Sequence, residues 1–383
     1  MNTVAAGVGG AKGASVQGAS ASTAFNKTVA SHVEHTDIDK DLEKENDENK
    51  EKANFNILAE NTSQVVTNAT VLSGASGQAA VGAGVAVNKI AQNTSAHIKN
   101  STQNVRNALV KSKANSSIKT IGIGAGIGAG GVGSSGSVAV NKITNNNTAS
   151  VEHSNIFARG NVGVITESDA VIANYAGTVS GGSHAGVGGS TSVNEIQGDT
   201  IASVKHSKIE AKEETEDVIE TQGKVKEVVE KVFQDIGINE DLSKKREKSK
   251  KRGFVVNSSS THTLKSLLAN AAGSGQAGVA GTVNINKVYG ATEALVEDSI
   301  LNAKHYSVKS GDYTNSIGAV GSVGVGGNVG AGASSDTNII KEIPRQELEK
   351  LQCLMKVSEK KLKLQQILSK EFPLLESESQ QPG

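Results

Sequence analysis

Along much of the chain, small or apolar residues alternate with polar ones, the period-2 pattern of a half-buried strand. Ala149-Ser150-Val151-Glu152-His153, Ala202-Ser203-Val204-Lys205-His206 and Asn161-Val162-Gly163-Val164-Ile165-Thr166 all read this way. A six-residue core keeps returning: Val85-Ala86-Val87-Asn88-Lys89-Ile90, then Val138 to Ile143, Thr191 to Ile196 and Val283 to Val288. Weaker copies lie at Ala24-Phe25-Asn26-Lys27 and at Asp336 to Ile340. Anchored on Asn26, Asn88, Asn141, Asn194, Asn286 and Asn338, the steps are 62, 53, 53, 92 and 52 residues, and both long steps contain a charged block. Internal repeats of this length indicate a solenoid.

The unit extends past the anchor. Ala96, Ala149, Ala202 and Ala294 lie eight residues after it, and Ser101, Ser154, Ser207 and Ser299 thirteen after it. Each unit is therefore expected to hold a strand around the anchor, a short polar turn rich in Asn and Thr, and a second strand. In the first copy that second strand, Val29 to Thr36, looks about three residues short. In a parallel solenoid the anchors Asn88, Asn141, Asn194 and Asn286 can form an amide ladder, a structural role. With a coil of roughly 20–25 residues, copies 53 residues apart would skip coils and leave the ladder incomplete. Lys89, Lys142 and Lys287 next to the anchors are expected to point outward and blunt edge pairing.

Between Ile121 and Gly133, β-branched residues or Ala alternate with Gly, so one strand face is apolar and the other nearly bare. The Gly-x-Gly-x-x-Gly match there (Gly126, Gly128, Gly131) lacks the turn and helix of a nucleotide site. Such glycines instead let another backbone layer or a neighbouring chain approach closely. A similar run spans Gly318 to Gly332.

Two insertions break the pattern. Residues 37–52 are acidic with interspersed Lys, and read as a solvated loop or short exposed helix. Residues 211–252 predict a helix over Glu213 to Phe233, with Val218, Val225, Val228, Val229, Val232 and Phe233 on one stripe. After it comes a basic run of Lys244, Lys245, Arg246, Lys248, Lys250, Lys251 and Arg252, a candidate polyanion-binding patch. From Lys341 the composition turns to Leu, Lys, Glu and Gln, predicting a helical tail over 341–383, foreign to the repeats or a cap, with Leu348, Leu351, Met355, Leu362 and Ile367 loosely on one face.

Composition limits the function classes. The 39 basic and 39 acidic residues balance, so no global field favours nucleic acid. Aromatics are 3% of the chain and Trp is absent, which removes an ordinary large-residue core and leaves few platforms for stacking sugars. The single cysteine, Cys353, forms no intrachain disulfide. No run of 18 or more apolar residues predicts a membrane-spanning helix. Met1 to Gly7 has no basic n-region followed by an apolar core, so no signal peptide is read there, and the chain reads as a fragment entered partway through a repeat. No catalytic residue, resident cofactor or metal-ligand motif emerges. His35, His153 and His206 share a repeat position that a metal ladder or a pH-responsive surface would use. Asn100 and Asp298 at the same position favour a polar, outward strand site.

The units Val-Ala-Val-Asn-Lys-Ile…Asn-Thr-x-Ala-x-Ile/Val…Ser, preceded by Gly-Ala-Gly-rich strands, resemble passenger repeats of large fusobacterial-type autotransporter adhesins. More loosely, they are similar to haemagglutinin-like secreted exoproteins. The resemblance covers roughly residues 4–340 apart from the insertions, and Val283 to Asn338 carries it best. It implies an all-β, right-handed parallel β-helix over 1–340, displayed at the cell surface or outer membrane or secreted. It also implies a parent protein with a C-terminal outer-membrane β-barrel, and a host or bacterial surface receptor or glycan as partner. The alternatives are a β-helix carbohydrate-active enzyme, which would need carboxylates converging in one groove, and a non-exported remnant without activity.

Overall fold

The computed structural model describes residues 1–39, 54–225, 246–349 and 352–353. In chain order the strands are β1 (Asn2–Ala11), β2 (Ala14–Glu34), β3 (Asp37–Asp39), β4 (Asn54–Ala75), β5 (Ala79–Lys99), β6 (Thr102–Val105) and β7 (Asn107–Gly128). Next come β8 (Val132–Glu152), β9 (Asn155–Ala158), β10 (Val162–Gly182), β11 (Ala185–Gln197), β12 (Thr200–Lys205), β13 (Lys208–Ala211) and β14 (Ile219–Val225). The last are β15 (Arg246–Lys251), β16 (Phe254–Ser274), β17 (Ala277–Glu297), β18 (Ile300–Ala303), β19 (Tyr306–Gly326), β20 (Val329–Glu349) and β21 (Gln352–Cys353). No helix occurs among the described residues.

The chain winds as a parallel β-solenoid of six coils with three faces. One long face stacks β1-β4-β7-β10-β16-β19. The facing long sheet stacks β2, β5, β8, the β11–β12 pair, β17 and β20, and the short third face stacks β3-β6-β9-β13-β18-β21. One coil is a whole 53-residue repeat, because Asn88 is the register partner of Asn141 and Asn141 of Asn194. The expectation of a coil of roughly 20–25 residues, with repeats that skip coils, is corrected: the long strands run 21 or 22 residues each. At about 3.3 Å per residue such a strand is about 70 Å long, so the coil is a broad, flattened loop.

The polar turn expected after the anchor is also absent. Ala79–Lys99 is one continuous strand, and Gln92 and Thr94 within it face the interior. Only the fourth coil breaks there, between β11 and β12, where Gly198 has φ 137°. In the first coil Thr23, not Asn26, is the register partner of Asn88, and Val29 to Glu34 runs on without a missing residue. The sequence copy at Asn26 is therefore offset by three positions. Phe25 fills the place of Ile90, which shows that the interior row of large side chains governs alignment.

The interior tapers, and the side chains follow the taper. At the three-faced end Ile57, Ile98, Val110, Val151, Ile156 and Phe254 belong to the largest cluster. Further along, Val65, Ile90, Ile118, Ile143, Ile172, Ile196, Leu264 and Val288 form a second aliphatic row. Beyond that come the anchor asparagines, and last Ala and Gly. A β-carbon on Gly124 would overlap the Gly136 carbonyl oxygen, and one on Gly82 that of Ala125. At this thin end the two long sheets approach closer than the ~10 Å of ordinary face-to-face packing, and the glycines leave room for the opposite sheet.

Both insertions leave the solenoid at the same edge, between the third face and the next long strand. The first follows β3 and precedes β4, and its residues 40–53 lie outside the described chain. In the second, β14 and β15 pair antiparallel as an extended two-stranded excursion, not as the helix expected from Glu213 onward. Two things outweigh the helical stripe there. Ile219 is buried against Ile165 and Val255 on the outer side of the first sheet, and Glu220 lies opposite Lys250 across the pair, a favourable cross-strand combination. Val218 is exposed, while Val228, Val229, Val232 and Phe233 fall outside the described residues.

The helix expected at Lys341 is likewise corrected. Residues 341–349 complete β20, with Tyr289↔Lys341 and Val296↔Leu348 in register, and Cys353 pairs with Leu301 on the third face. The open edge of β17 templates the strand and overrides a composition suited to a helix. Pro344 is tolerated because β20 is the last strand of its sheet. Leu351, Met355, Leu362 and Ile367 lie outside the described residues.

Candidate functional site

The anchor asparagines form a direct amide ladder. Asn88 Nδ2 donates to Asn141 Oδ1 at 2.9 Å, Asn141 to Asn194 at 2.8 Å, Asn194 to Asn286 at 3.0 Å and Asn286 to Asn338 at 3.0 Å. A matching row crosses from the facing sheet. Thr120 Oγ1 accepts from Asn88 Nδ2 at 2.8 Å and donates to Asn141 Oδ1 at 2.5 Å, and Ser266 does the same between Asn194 and Asn286 at 2.8 and 3.1 Å. Hydroxyl and amide rows thus stitch the two sheets together where no large side chain fits. Lys89, Lys142, Glu195 and Lys287 form the adjacent outward row, with Lys142 Nζ 2.8 Å from Glu195 Oε1.

The histidines at the shared repeat position are corner residues, not strand residues. His35, Asn100, His153, His206 and Asp298 all have φ between 44° and 51°, a left-handed conformation in which Asn, Asp and His are enriched among non-glycine residues. The serines that follow close the corner: Ser154 Oγ donates to the Glu152 carbonyl at 2.7 Å, and the Ser154 amide donates to Ser207 Oγ of the next coil at 3.1 Å. The sequence places His, Asn or Asp before Ser for this backbone reason. His153 and His206 stack at 4.8 Å between ring centroids, and His35 Nε2 lies 3.3 Å from Asn100 Nδ2.

Of the basic run, Arg246, Lys248, Lys250 and Lys251 fall on β15, while Lys244 and Lys245 lie outside the described residues. Lys250 and Arg252 are exposed, Lys251 is half-buried, and Arg252 Nη2 donates to the Thr215 carbonyl. The base of this excursion is anchored tightly. Asp217 accepts from Asn107 Nδ2 at 2.6 Å and pairs with Arg106 at 3.1 Å, and these hold its carboxyl below the usual range despite partial burial. Glu213, buried with φ 57°, accepts from the His305 amide at 2.7 Å.

One cluster unites ionisable groups inside the solenoid. His262 of β16, Asp312 of β19 and Glu342 of β20 bring Nδ1 and two carboxylate oxygens within 4.8 Å of one another. His262 Nδ1 is 2.5 Å from Glu342 Oε1 and 3.5 Å from Asp312 Oδ1. Thr314 Oγ1 donates to Glu342 Oε1 at 2.6 Å. Burial pushes the imidazole down, but the two carboxylates outweigh it and raise His262 to about 9. The side chains of His262 and Asp312 are each 6% exposed. This pair of carboxylates converges in the interior and not in an open groove. Nothing in the strand alternation marked it, because the positions of His262 and Asp312 are interior ones held in earlier coils by small or neutral polar residues, and that of Glu342 is held by Gly290, Asn145, Gln92 and, in the first coil, a half-buried Lys27.

The outer surfaces of the thin end have a different character. Residues 61–88, 120–141, 170–194, 266–286 and 313–335 contain no Asp, Glu, Lys or Arg. Within them, Ile123, Ile127, Val179 and Val323 point out from the first sheet, and Val81, Val138, Val187 and Val279 from the second. Five strands about 4.8 Å apart and some nine residues of about 3.3 Å give each face roughly 700 Å², above the patch of about 300–600 Å² usual for a monomer. Polar amides and hydroxyls lie inside, and apolar side chains outside.

No family model, curated protein or solved structure matches the chain. No helix among the described residues is long and apolar enough to cross a membrane.

Proposed function

We propose that the chain is a section of a bacterial passenger, displayed at the cell surface or secreted, that serves as a scaffold and adheres through its flat strand faces. The observation that carries this reading is the pair of broad, uncharged outer faces at the thin end. Ladders and glycines occupy the interior there, so it has no room for a ligand. The exposed side is flat and apolar, the kind of patch that marks an interaction surface. Both insertions depart from the edge between the third face and the next long strand, away from the thin end, which fits the tendency of solenoid insertions to gather on one side. On this reading the coil is right-handed, the parent carries an outer-membrane β-barrel, and the basic residues from Lys244 to Arg252 add a contact for polyanionic polymers.

The test is retention of the labelled, purified chain on washed bacteria and on cultured host cells, compared with an Ile123→Lys/Val179→Lys variant. Saturable retention that falls at least about tenfold in the variant, with an unchanged circular dichroism spectrum, supports the proposal. Absence of retention on both cell types, or retention that the variant preserves, overturns it.

A further inference from the structure

The cluster of His262, Asp312 and Glu342 interrupts the interior rows in a way that the architecture does not require. Through the strand registers, the place of His262 is taken by Ala170, Ser116 and Ser63 in earlier coils, and that of Asp312 by Ser260, Ser168, Ala114 and Asn61. Glu342 replaces Gly290. Elsewhere this level of the coil holds neutral pairs, such as Ser116 Oγ donating to Asn145 Oδ1 at 2.7 Å. In the second to fifth coils these places carry no charge apart from His262 itself, although Asn145 Nδ2, Gln92 Oε1 and both amide atoms of Asn61 stay unpaired there, so fold maintenance alone does not explain three ionisable groups.

The charge balance adds to this. Two carboxylates face one imidazole, so even with His262 protonated the buried cluster retains one excess negative charge. Uncompensated charge in an interior is costly. Asp312 Oδ1 is buried with only the 3.5 Å ion pair to His262 Nδ1, and its other oxygen takes a 3.3 Å bond from Thr292 Oγ1. A divalent cation with neutral imidazole and both carboxylates brings the sum to zero and gives Oδ1 a closer partner.

We propose that His262, Asp312 and Glu342 form a binding site for one first-row divalent transition-metal ion of the zinc type, with Thr314 Oγ1 supplying a further oxygen. One imidazole nitrogen and two carboxylate oxygens suit Zn²⁺, whereas Ca²⁺ prefers six to eight oxygens. Metal–ligand distances near 2.0–2.2 Å need shifts on the order of 1 Å in these side chains, as the His262–Glu342 hydrogen bond opens and Asp312 closes in. The ion displaces the proton shared by His262 and Glu342, and joins the last two described coils across both long sheets. The site is independent of the adhesive reading, and its test does not involve cell binding.

The experiment is titration of chelator-stripped full chain with ZnCl2, by calorimetry and thermal unfolding, in wild type, Asp312→Asn and Glu342→Gln. Both variants remove charge with little change in shape, so they retain the fold, and circular dichroism checks this. The expected result is one tight equivalent in wild type with a Tm rise of at least ~3 °C, and loss of that equivalent in both variants. No Zn²⁺-dependent rise in wild type overturns the proposal. So does an equivalent that persists in both variants, which assigns the ion to the surface His153–His206 pair. An equal response to CaCl2 overturns the assignment of metal class.

Discussion

Asn141 and Asn194 are 53 residues apart in sequence and joined by a 2.8 Å side-chain hydrogen bond, Nδ2 of the first to Oδ1 of the second. That bond defines the coil. It fixes its length, holds successive strands of the second long sheet in register, and places a fully paired amide row where the interior narrows from isoleucine to glycine.

Replacing Asn141 with Ala strands groups on both sides of it: Asn88 Nδ2 loses an acceptor and Asn194 Oδ1 a donor. Each buried polar group left unpaired costs about 1–3 kcal/mol, so the variant should lose on the order of 2–4 kcal/mol in chemical denaturation. The same change at Asn338, which is exposed on the last long strand of its sheet, should cost under about 1 kcal/mol. Equal losses at the two sites would show that the ladder does not carry the difference.

The close approach of the sheets makes a stricter demand. Gly124→Ala forces a methyl group onto the Gly136 carbonyl and should destabilise by about 1–3 kcal/mol. Ala125→Val, one residue along and facing outward, should change stability by less than about 0.5 kcal/mol. Urea denaturation of both variants checks this, and a harmless Gly124→Ala would mean that the sheets separate more readily than the structure implies.

His262 predicts a pH dependence. Its folded pKa of about 9 lies above the ordinary 6.5, because Asp312 and Glu342 overcome the effect of burial. A raised pKa gives stability that is fully present below the unfolded value and is lost as pH rises through the folded one. In chelator, the unfolding free energy from urea denaturation should therefore fall between pH 6.5 and 9, by an amount on the order of 3 kcal/mol. His262→Gln should flatten that window, and an unchanged slope in the variant would assign the effect to other groups.

The excursion of β14 and β15 hangs on Ile219. Ile219→Ala should speed amide exchange in Ile219–Val225 and Arg246–Lys251 while the solenoid Tm stays within about 2 °C, since local elements open independently of the stacked core. Hydrogen exchange by mass spectrometry reads this out. Loss of protection throughout the solenoid would instead make the excursion part of the fold.

The strand alternation, the 53-residue spacing and the anchor asparagines made a β-solenoid legible in the sequence. Coil length was not legible, because the first long strand of each coil, which precedes the anchor strand, has its own pattern. The hydroxyls that face the anchors, Thr67, Thr120 and Ser266, lie 20 or 21 residues before Asn88, Asn141 and Asn286 and alternate with other polar residues. Thr23 was hidden by a better-looking Asn26, whose neighbours mimic the motif while the interior row runs through Phe25. The strands at Ile219 and Lys341 were missed for one reason: a local helical stripe carries no information about a neighbouring strand edge. Of the candidate site, only the corner histidines showed a repeat signature. His262, Asp312 and Glu342 are far apart in sequence, and only the stacking of adjacent coils and the facing of the two sheets bring them together.

The unbroken register of the long strands has a consequence for how such a molecule changes over generations. A coil inserted or removed whole leaves every surviving neighbour in the same relation, because each anchor meets its counterpart in any adjacent copy. Recombination between copies can then lengthen or shorten the body in steps of one 53-residue coil, about 4.8 Å of height each, without a new core having to be invented.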